Sequence, residues 1–136
     1  LNENKFELIK DNLKIPDKGK IVSMNLSYNK INLDKKYEEL CNKLFDEGYT
    51  QRFVGSLVAD AHRTLLKGGI FMYPANDKSV NGKIRLLYEA IPFAYIFEMA
   101  GGYGSDGEIR LLDVKIDEIH QRTPIILSSK YEFSRL

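Results

Sequence analysis

Between Arg52 and Glu89 the chain carries side chains of the types that hold a phosphate ester and a metal: Arg52, Tyr73, Lys78, Lys83 and Glu89. An arginine presents a planar fork of donors to phosphate oxygens, a lysine a compact positive charge, and a tyrosine a neutral hydroxyl donor. A carboxylate supplies the oxygen ligand that a hard divalent ion prefers. Read with their spacing, these residues fall at the ends of two helices and a strand, so the stretch reads as a site and not only as part of a core.

The elements that must position them follow from periodicity. Leu57, Val58, Ala61, Leu65 and Leu66 recur at helical spacing, and Gly68-Gly69 stops that helix because glycine reaches positive φ without penalty. Ile70 to Tyr73 is an apolar run ended by Pro74, as expected of a buried strand, and the polar loop Ala75 to Lys83 follows. Tyr73 thus stands where a strand opens into a loop, the edge at which open α/β sheets usually bind ligands. Arg85 to Ala100 reads as a helix kinked or restarted at Pro92, with Glu89 just before the break and Gly101-Gly102 after its end. Further on, a strand is expected at Tyr103, a turn at Asp106-Gly107, a strand over Leu111, Leu112 and Val114, and a last strand over Ile125 to Leu127. Upstream, Phe6 to Ile9, Leu13 to Ile15 and Lys20 to Asn25 read as three short strands of an antiparallel meander, with turns at Asp11-Asn12 and Pro16 to Gly19. From Leu33, the residues Tyr37, Leu40, Cys41, Leu44 and Phe45 mark an amphipathic helix that covers the sheet. The fold class expected is α/β, a three-layer α/β/α arrangement with a mixed sheet of about five strands.

With 136 residues the chain fits one domain, large enough to bury about 70% of its unfolded surface. Lys and Arg number 20 against 19 Asp and Glu, which gives no global field for nucleic acid or an anionic membrane. No apolar run has membrane-spanning length and no signal-peptide pattern is present, so a cytoplasmic protein is expected. Cys41 falls at an apolar helical position and reads as a buried, reduced thiol. His62 and His120 lack partners at zinc-ligand spacing, and no G-x-G-x-x-G follows a strand. Lys78 reads equally as a phosphate contact or as a solubilising loop charge. The chain opens on Leu1 without an initiator methionine and closes as Ser129-Lys130-Tyr131-Glu132 offers a capping box, so a piece of a longer polypeptide is expected.

The segments RFVGSLVADAHRTL, GGIFMYPAN, NGKIRLLYEAIPFAYIFEMAGG and IHQRTPIILSS resemble the C-terminal half of class I fructose-1,6-bisphosphatase. That resemblance implies the C-terminal domain of the fructose-1,6-bisphosphatase fold over residues 1–136, a sugar-phosphate-binding domain whose N-terminal metal-binding partner domain is absent from this sequence. It implies hydrolysis of the 1-phosphate of fructose 1,6-bisphosphate to fructose 6-phosphate and phosphate, a step of gluconeogenesis, with Mg2+, or Mn2+ or Zn2+, as cofactor. Asn25, Tyr28, Arg52, Phe53, Tyr73 and Lys83 match substrate-binding positions, and Glu89 matches a catalytic, metal-binding glutamate. By residue type alone, a strand end followed by a turn, with no ligand, is the favoured reading of Asn25 and Tyr28.

In the family, the arginine matching Arg52 reaches into a neighbouring subunit of a homotetramer; an arginine packed in its own domain is the alternative. The family's other metal carboxylates lie in an upstream Asp-Pro-x-Asp-Gly motif, which this sequence lacks. One carboxylate cannot hold the two or three ions of such a reaction, so the chain alone is expected to bind the sugar weakly and to hydrolyse nothing. Two departures stand out: Phe53 replaces a tyrosine whose hydroxyl contacts the 6-phosphate, and Leu57 stands where methionine is common. The run AGGYGSDG is closer to sedoheptulose-1,7-bisphosphatases, whereas HRTLLKGGIFMYPAN and HQRTPIIL favour the fructose enzyme. A non-catalytic phosphosugar-binding or assembly module is the reading outside enzymology.

Overall fold

Ile70–Tyr73 (β3) is the strand on which the rest is built. A computed structural model of the chain describes residues 5–26 and 34–136. β3 pairs in parallel with Ile21–Ser23 (β1), which in turn pairs in parallel with Thr50–Gln51 (β2). On its other side β3 runs antiparallel to Ile125–Ser128 (β7), and β7 runs antiparallel to Tyr103–Ser105 (β5), giving the order β2-β1-β3-β7-β5. A separate ladder joins Ile84–Arg85 (β4) to Arg122–Thr123 (β6).

Strand alternation sends successive side chains to opposite faces, and each face has its own core. Phe71, Ile125 and Leu127 pack with Ala61 and Leu65 of the helix Leu57–Lys67 (α2) and with Ala94 and Phe97 of Ile91–Met99 (α3). Val22, Met24, Ile70, Met72 and Ile126 pack with Tyr37, Leu40, Cys41 and Leu44 of Lys35–Asp46 (α1). Each Val, Leu, Ile, Phe or Met among them, taken fully out of water, contributes about 1.5–3 kcal/mol. The result is the three-layer α/β/α arrangement with a mixed five-stranded sheet. Cys41 is buried as expected, and burial, with the Glu38 charge beside it, pushes its thiol up to about 12.

Several local expectations are corrected. Residues 5–20 form no strand: Phe6 and Ile9 are 108% and 98% exposed, and a short apolar run with no ladder partner stays irregular. The strand expected over Lys20 to Asn25 shortens to Ile21–Ser23 and, instead of belonging to an antiparallel meander, is parallel to both neighbours. The helix expected over Arg85 to Ala100 becomes three elements: β4, a π turn over Leu86–Ala90, and α3. Pro92 has no N–H to give to a carbonyl four residues back, and Ile91 N–H reaches the Leu86 carbonyl, five back. The proline is thus accommodated near the start of α3 by a widened turn. Leu111 to Val114 is no strand but a 3₁₀ turn over Leu111–Asp113, with Leu111 buried in the first core.

The capping box is also absent. The last helix, Lys130–Phe133 (α4), lacks a side-chain cap; Ser129 Oγ accepts from Gly69 N–H at 3.1 Å, and Glu132 turns inward. Its Oε1 accepts Gly19 N–H at 2.8 Å and the Tyr49 hydroxyl at 2.6 Å. Gly19 precedes β1, Tyr49 precedes β2 and Glu132 follows β7, so one carboxyl group ties together the amino ends of β1 and β2 and the carboxyl end of β7. The close approach of β1 is why Gly69 must be glycine: its φ is 112°, and a Cβ there would lie 2.3 Å from the Ile21 carbonyl oxygen.

Candidate functional site

Parallel pairing brings residues scattered over the sequence to one edge. Val22 sits beside both Gln51 and Ile70, so β2, β1 and β3 open their carboxyl ends on the same side. Asn25 stands two residues past β1, Arg52 and Phe53 directly follow β2, and Tyr73 closes β3. Arg52 is exposed, while Asn25, Phe53 and Tyr73 are half-buried. Phe53 and Tyr73 both pack against the core that α2 and α3 cover. Tyr28 lies outside the described residues.

Lys83 and Glu89 come to this edge by a second route. β6 leads through Pro124 into β7, whose first residue, Ile125, faces Tyr73 across the ladder. β4 lies against β6, with Ile84 opposite Thr123; Arg122 Nη1 donates to the Lys83 carbonyl at 3.0 Å, and Leu86 N–H donates to the Gln121 carbonyl at 2.7 Å. Gly82 permits the approach: its φ is 76°, and a Cβ would stand 2.4 Å from the Thr123 carbonyl and the Pro124 nitrogen. Ile84 and Leu86 enter the same core that Tyr73 packs on. The segment carrying Lys83 and Glu89 is thereby fixed beside the end of β3. Lys83 and Glu89 are half-buried.

Glu89 lies in the π turn, and its Oε2 accepts Arg85 N–H at 2.8 Å, which pins the carboxylate to the start of the turn. Among the described residues this is its only hydrogen bond, and no group of three or more His, Cys, Asp or Glu is placed to hold a metal. Glu89 therefore fits a metal as one ligand oxygen and not as a complete site. Lys78 is exposed in the loop after β3, where its N–H donates to Asn76 Oδ1 at 3.0 Å. His120 is not unpartnered: its Nδ1 lies 2.9 Å from the Tyr88 hydroxyl, and the two rings meet edge to face.

Two polar residues of this region escaped the reading of the sequence. Asp60 is wholly buried and accepts the N–H groups of Val54 and Gly55 at 3.0–3.1 Å. Arg63 Nη2 donates to Asp60 Oδ1 at 2.7 Å, to the Arg52 carbonyl at 2.7 Å and to Ser23 Oγ at 3.1 Å. A signal was present: Asp60 and Thr64 fall in phase with Ala61 and Leu65, so the inward stripe of α2 carries polar atoms that must find partners.

A groove of about 750 Å3 opens at the same sheet edge but over the other face, between Tyr37 of α1, the loop at Asn76 and Asp77, and Arg122. Among the described residues, none of those singled out in the sequence as binding or catalytic lines it. Asp34, Asp77, Asp106 and Glu108 also line it, facing Lys36 and Arg122, so it offers no consistent field for an anion. Phe53 and Tyr73 lie instead against the α2 and α3 face.

By fold the chain is thus an α/β domain in which polar residues follow the carboxyl ends of parallel strands, the edge at which open α/β sheets usually bind ligands. Residues 15–136 match the family described as "Fructose-1-6-bisphosphatase, C-terminal domain", and the chain belongs to that family. It is 53% identical over 125 residues to a class 1 fructose-1,6-bisphosphatase of Sulfurihydrogenibium sp. (strain YO3AOP1), covering 92% of this chain and 39% of that protein. To fructose-1,6-bisphosphatase isozyme 2 of Rattus norvegicus it is 52% identical over 128 residues, 91% of this chain and 38% of the relative. To a chloroplastic fructose-1,6-bisphosphatase of Brassica napus it is 47% identical over 136 residues, 96% of this chain and 33% of the relative. The chain spans about two-fifths or less of the length of these relatives. No helix among the described residues is long and apolar enough to cross a membrane.

Proposed function

We propose that this chain is the substrate-binding part of a longer fructose-1,6-bisphosphatase, in which it grips the 6-phosphate and sugar and contributes one metal ligand at the phosphate to be removed. What supports this reading is that Asn25, Arg52 and Tyr73 stand at the carboxyl ends of β1, β2 and β3, while the β4–β6 ladder carries Lys83 and Glu89 next to the start of β7, in a chain of this family.

A phosphate dianion needs several donors that already point inward, since donors fixed before binding lose little further entropy. Arg52 and Lys83 supply charge, and Asn25, Tyr28 and Tyr73 supply neutral donors. Each charge-assisted hydrogen bond is worth about 1.5–3 kcal/mol. Phe53 provides a ring wall but no hydroxyl, so one contact on the order of 1 kcal/mol is missing there. At the other phosphate, a bound magnesium or similar ion would stabilise charge on the attacking and leaving oxygens. Glu89 would hold such an ion through the carboxylate oxygen that Arg85 leaves open, with the remaining ligands coming from outside this chain. Water attacks the phosphorus, the bond to the C1 oxygen breaks, and fructose 6-phosphate and inorganic phosphate leave. Arg52 is exposed, so in a homotetramer the charge it supplies would go to the neighbouring subunit's pocket, which receives Lys83 from its own chain.

The test is phosphate release from fructose 1,6-bisphosphate by the longer polypeptide with magnesium, alongside sedoheptulose 1,7-bisphosphate and the Glu89→Gln variant. The fructose substrate should be preferred, Glu89→Gln should remove at least about 99% of turnover, and the 136-residue chain alone should release none. Magnesium-dependent turnover unaffected by Glu89→Gln would overturn the assignment.

A further inference from the structure

The geometry points to Asp60 and Arg63 as a positioning pair that presents Arg52 to the anion, an inference that rests on the phosphate-binding reading above. The backbone from Arg52 to Gly55 is held at four points. Arg52 N–H donates to the Val22 carbonyl at 2.9 Å, the Arg52 carbonyl accepts from Arg63, and the Val54 and Gly55 N–H groups donate to Asp60. Gly55 adopts φ 88°, so this is a tight turn folded around a carboxylate. Yet the Arg52 side chain is exposed, as is Val54 at 67%.

Removing a carboxylate from water is costly, and a buried ion pair is seldom the cheapest way to stabilise a fold. Here the pair is spent on a loop that buries little. Its product is a fixed origin for one mobile cation: when the backbone on both sides of Arg52 is already ordered, binding costs only the ordering of the side chain itself. The same Arg63 Nη2 reaches Ser23 Oγ, two residues before Asn25. One guanidinium thus joins the ends of the two neighbouring strands that lead to Arg52 and to Asn25. Arg63 Nε is buried with no partner, so the contacts to strand and loop fall on one nitrogen, and losing that nitrogen loosens all of them together.

The experiment is a kinetic cycle in the longer bisphosphatase polypeptide that carries this chain. Arg63→Gln is expected to raise KM for fructose 1,6-bisphosphate about tenfold with kcat within about twofold, since a small misplacement of a binding group acts on binding geometry. Arg63→Lys should fall between, because an ammonium keeps the charge but not the fork. In an Arg52→Ala background Arg63→Gln should add less than about twofold, as expected of residues acting through one contact. Hydrogen exchange of the Val54 and Gly55 amides should accelerate in Asp60→Asn and Arg63→Gln, while β3 stays protected. A full tenfold effect of Arg63→Gln in the Arg52→Ala background, or unchanged exchange at Val54 and Gly55, would overturn the positioning role. If Arg52→Ala and Lys83→Ala both leave KM unchanged, the phosphate-binding reading itself fails, a different result from either of those. Should Arg63→Gln fail to fold, Arg63→Lys and the exchange measurement decide the matter.

Discussion

Replacing Tyr49 by phenylalanine tests the junction that fixes the sheet's register at the end opposite the candidate site. The hydroxyl donates to Glu132 Oε1 at 2.6 Å, and both residues are buried. Phenylalanine fills the same space, so the change removes a hydrogen bond and leaves no cavity. A bond of this kind contributes about 1–3 kcal/mol. Near 60 °C unfolding entropy is about 2.1 cal/mol/K per residue, so with 136 residues a loss of about 2 kcal/mol lowers Tm by about 7 °C. Glu132→Ala should cost more, about 4–6 kcal/mol, because it strands both the Tyr49 hydroxyl and Gly19 N–H and opens a hole. The decisive quantity is the double variant. With Glu132 gone the Tyr49 hydroxyl is a buried donor without an acceptor, so Tyr49→Phe should then cost nothing or restore stability, a coupling of about 2 kcal/mol. Urea or thermal denaturation of the four proteins measures it. Additive costs, or a loss below about 0.5 kcal/mol for Tyr49→Phe alone, would refute the idea that this carboxyl group holds the strand ends together.

Two further outcomes follow from the same structure. Lys83→Ala in the proposed longer bisphosphatase should raise KM for the sugar bisphosphate by about tenfold or more while changing kcat much less, because a cation on the non-reacting phosphate would bind ground and transition states alike; an unchanged KM in saturation kinetics would remove Lys83 from the proposed site. Burial, followed by the hydrogen bond to Glu132, holds the Tyr49 phenol well above its ordinary value, and burial also raises Tyr37. A raised phenol favours the folded state fully below the unfolded value near 10, and that contribution fades as pH climbs past it, by up to about 1.4 kcal/mol per pH unit for each group. Denaturation midpoints should therefore be flat between pH 7 and 9 and fall above pH 10, with a shallower fall in Tyr49→Phe; an equal slope in that variant would sink the attribution.

Much of the architecture was legible because periodicity encodes burial. The apolar phase of α1 and the Ile70–Tyr73 run point to structure without help from elsewhere, and both formed as expected. What periodicity does not encode is the partner. Phe6 to Ile9 looks as strand-like as Ile125 to Leu127, but only the second has neighbours to pair with, β3 and β5. Likewise the apolar residues of β1 do not say whether β2 and β3 run with it or against it. The π turn was half legible: Pro92 announces a break, but whether the chain kinks or widens depends on β4 being captured by β6, a contact 37 residues away between Arg85 and Arg122. Ser129 and Glu132 have the spacing of a capping box, and the side chains go elsewhere because Gly69, Gly19 and Tyr49 offer buried donors that water cannot reach.

The site divides in the same way. Residue types, with the family resemblance, picked out Arg52, Tyr73, Lys83 and Glu89, whose chemistry is unusual at strand and helix ends, but not Asp60 and Arg63, which look like any charged pair three apart on a helix. Their role exists only because β2 ends against the first turns of α2. Register then decides whether the predicted residues can act together. Side chains alternate along β3, so a one-residue slip against β7 would carry Tyr73 from the face of α2 and α3 to the face of α1 and the groove beside Tyr37. Gly69 and Ser129 prevent that slip: Gly69 N–H donates to Ser129 Oγ at 3.1 Å and Ser129 N–H to the Gly69 carbonyl at 2.9 Å, immediately beyond the Ile70 to Ser128 pair. The face that Tyr73 takes at one end of β3 is thus fixed by a glycine and a serine beyond the other, about 13 Å away at the rise of four extended residues.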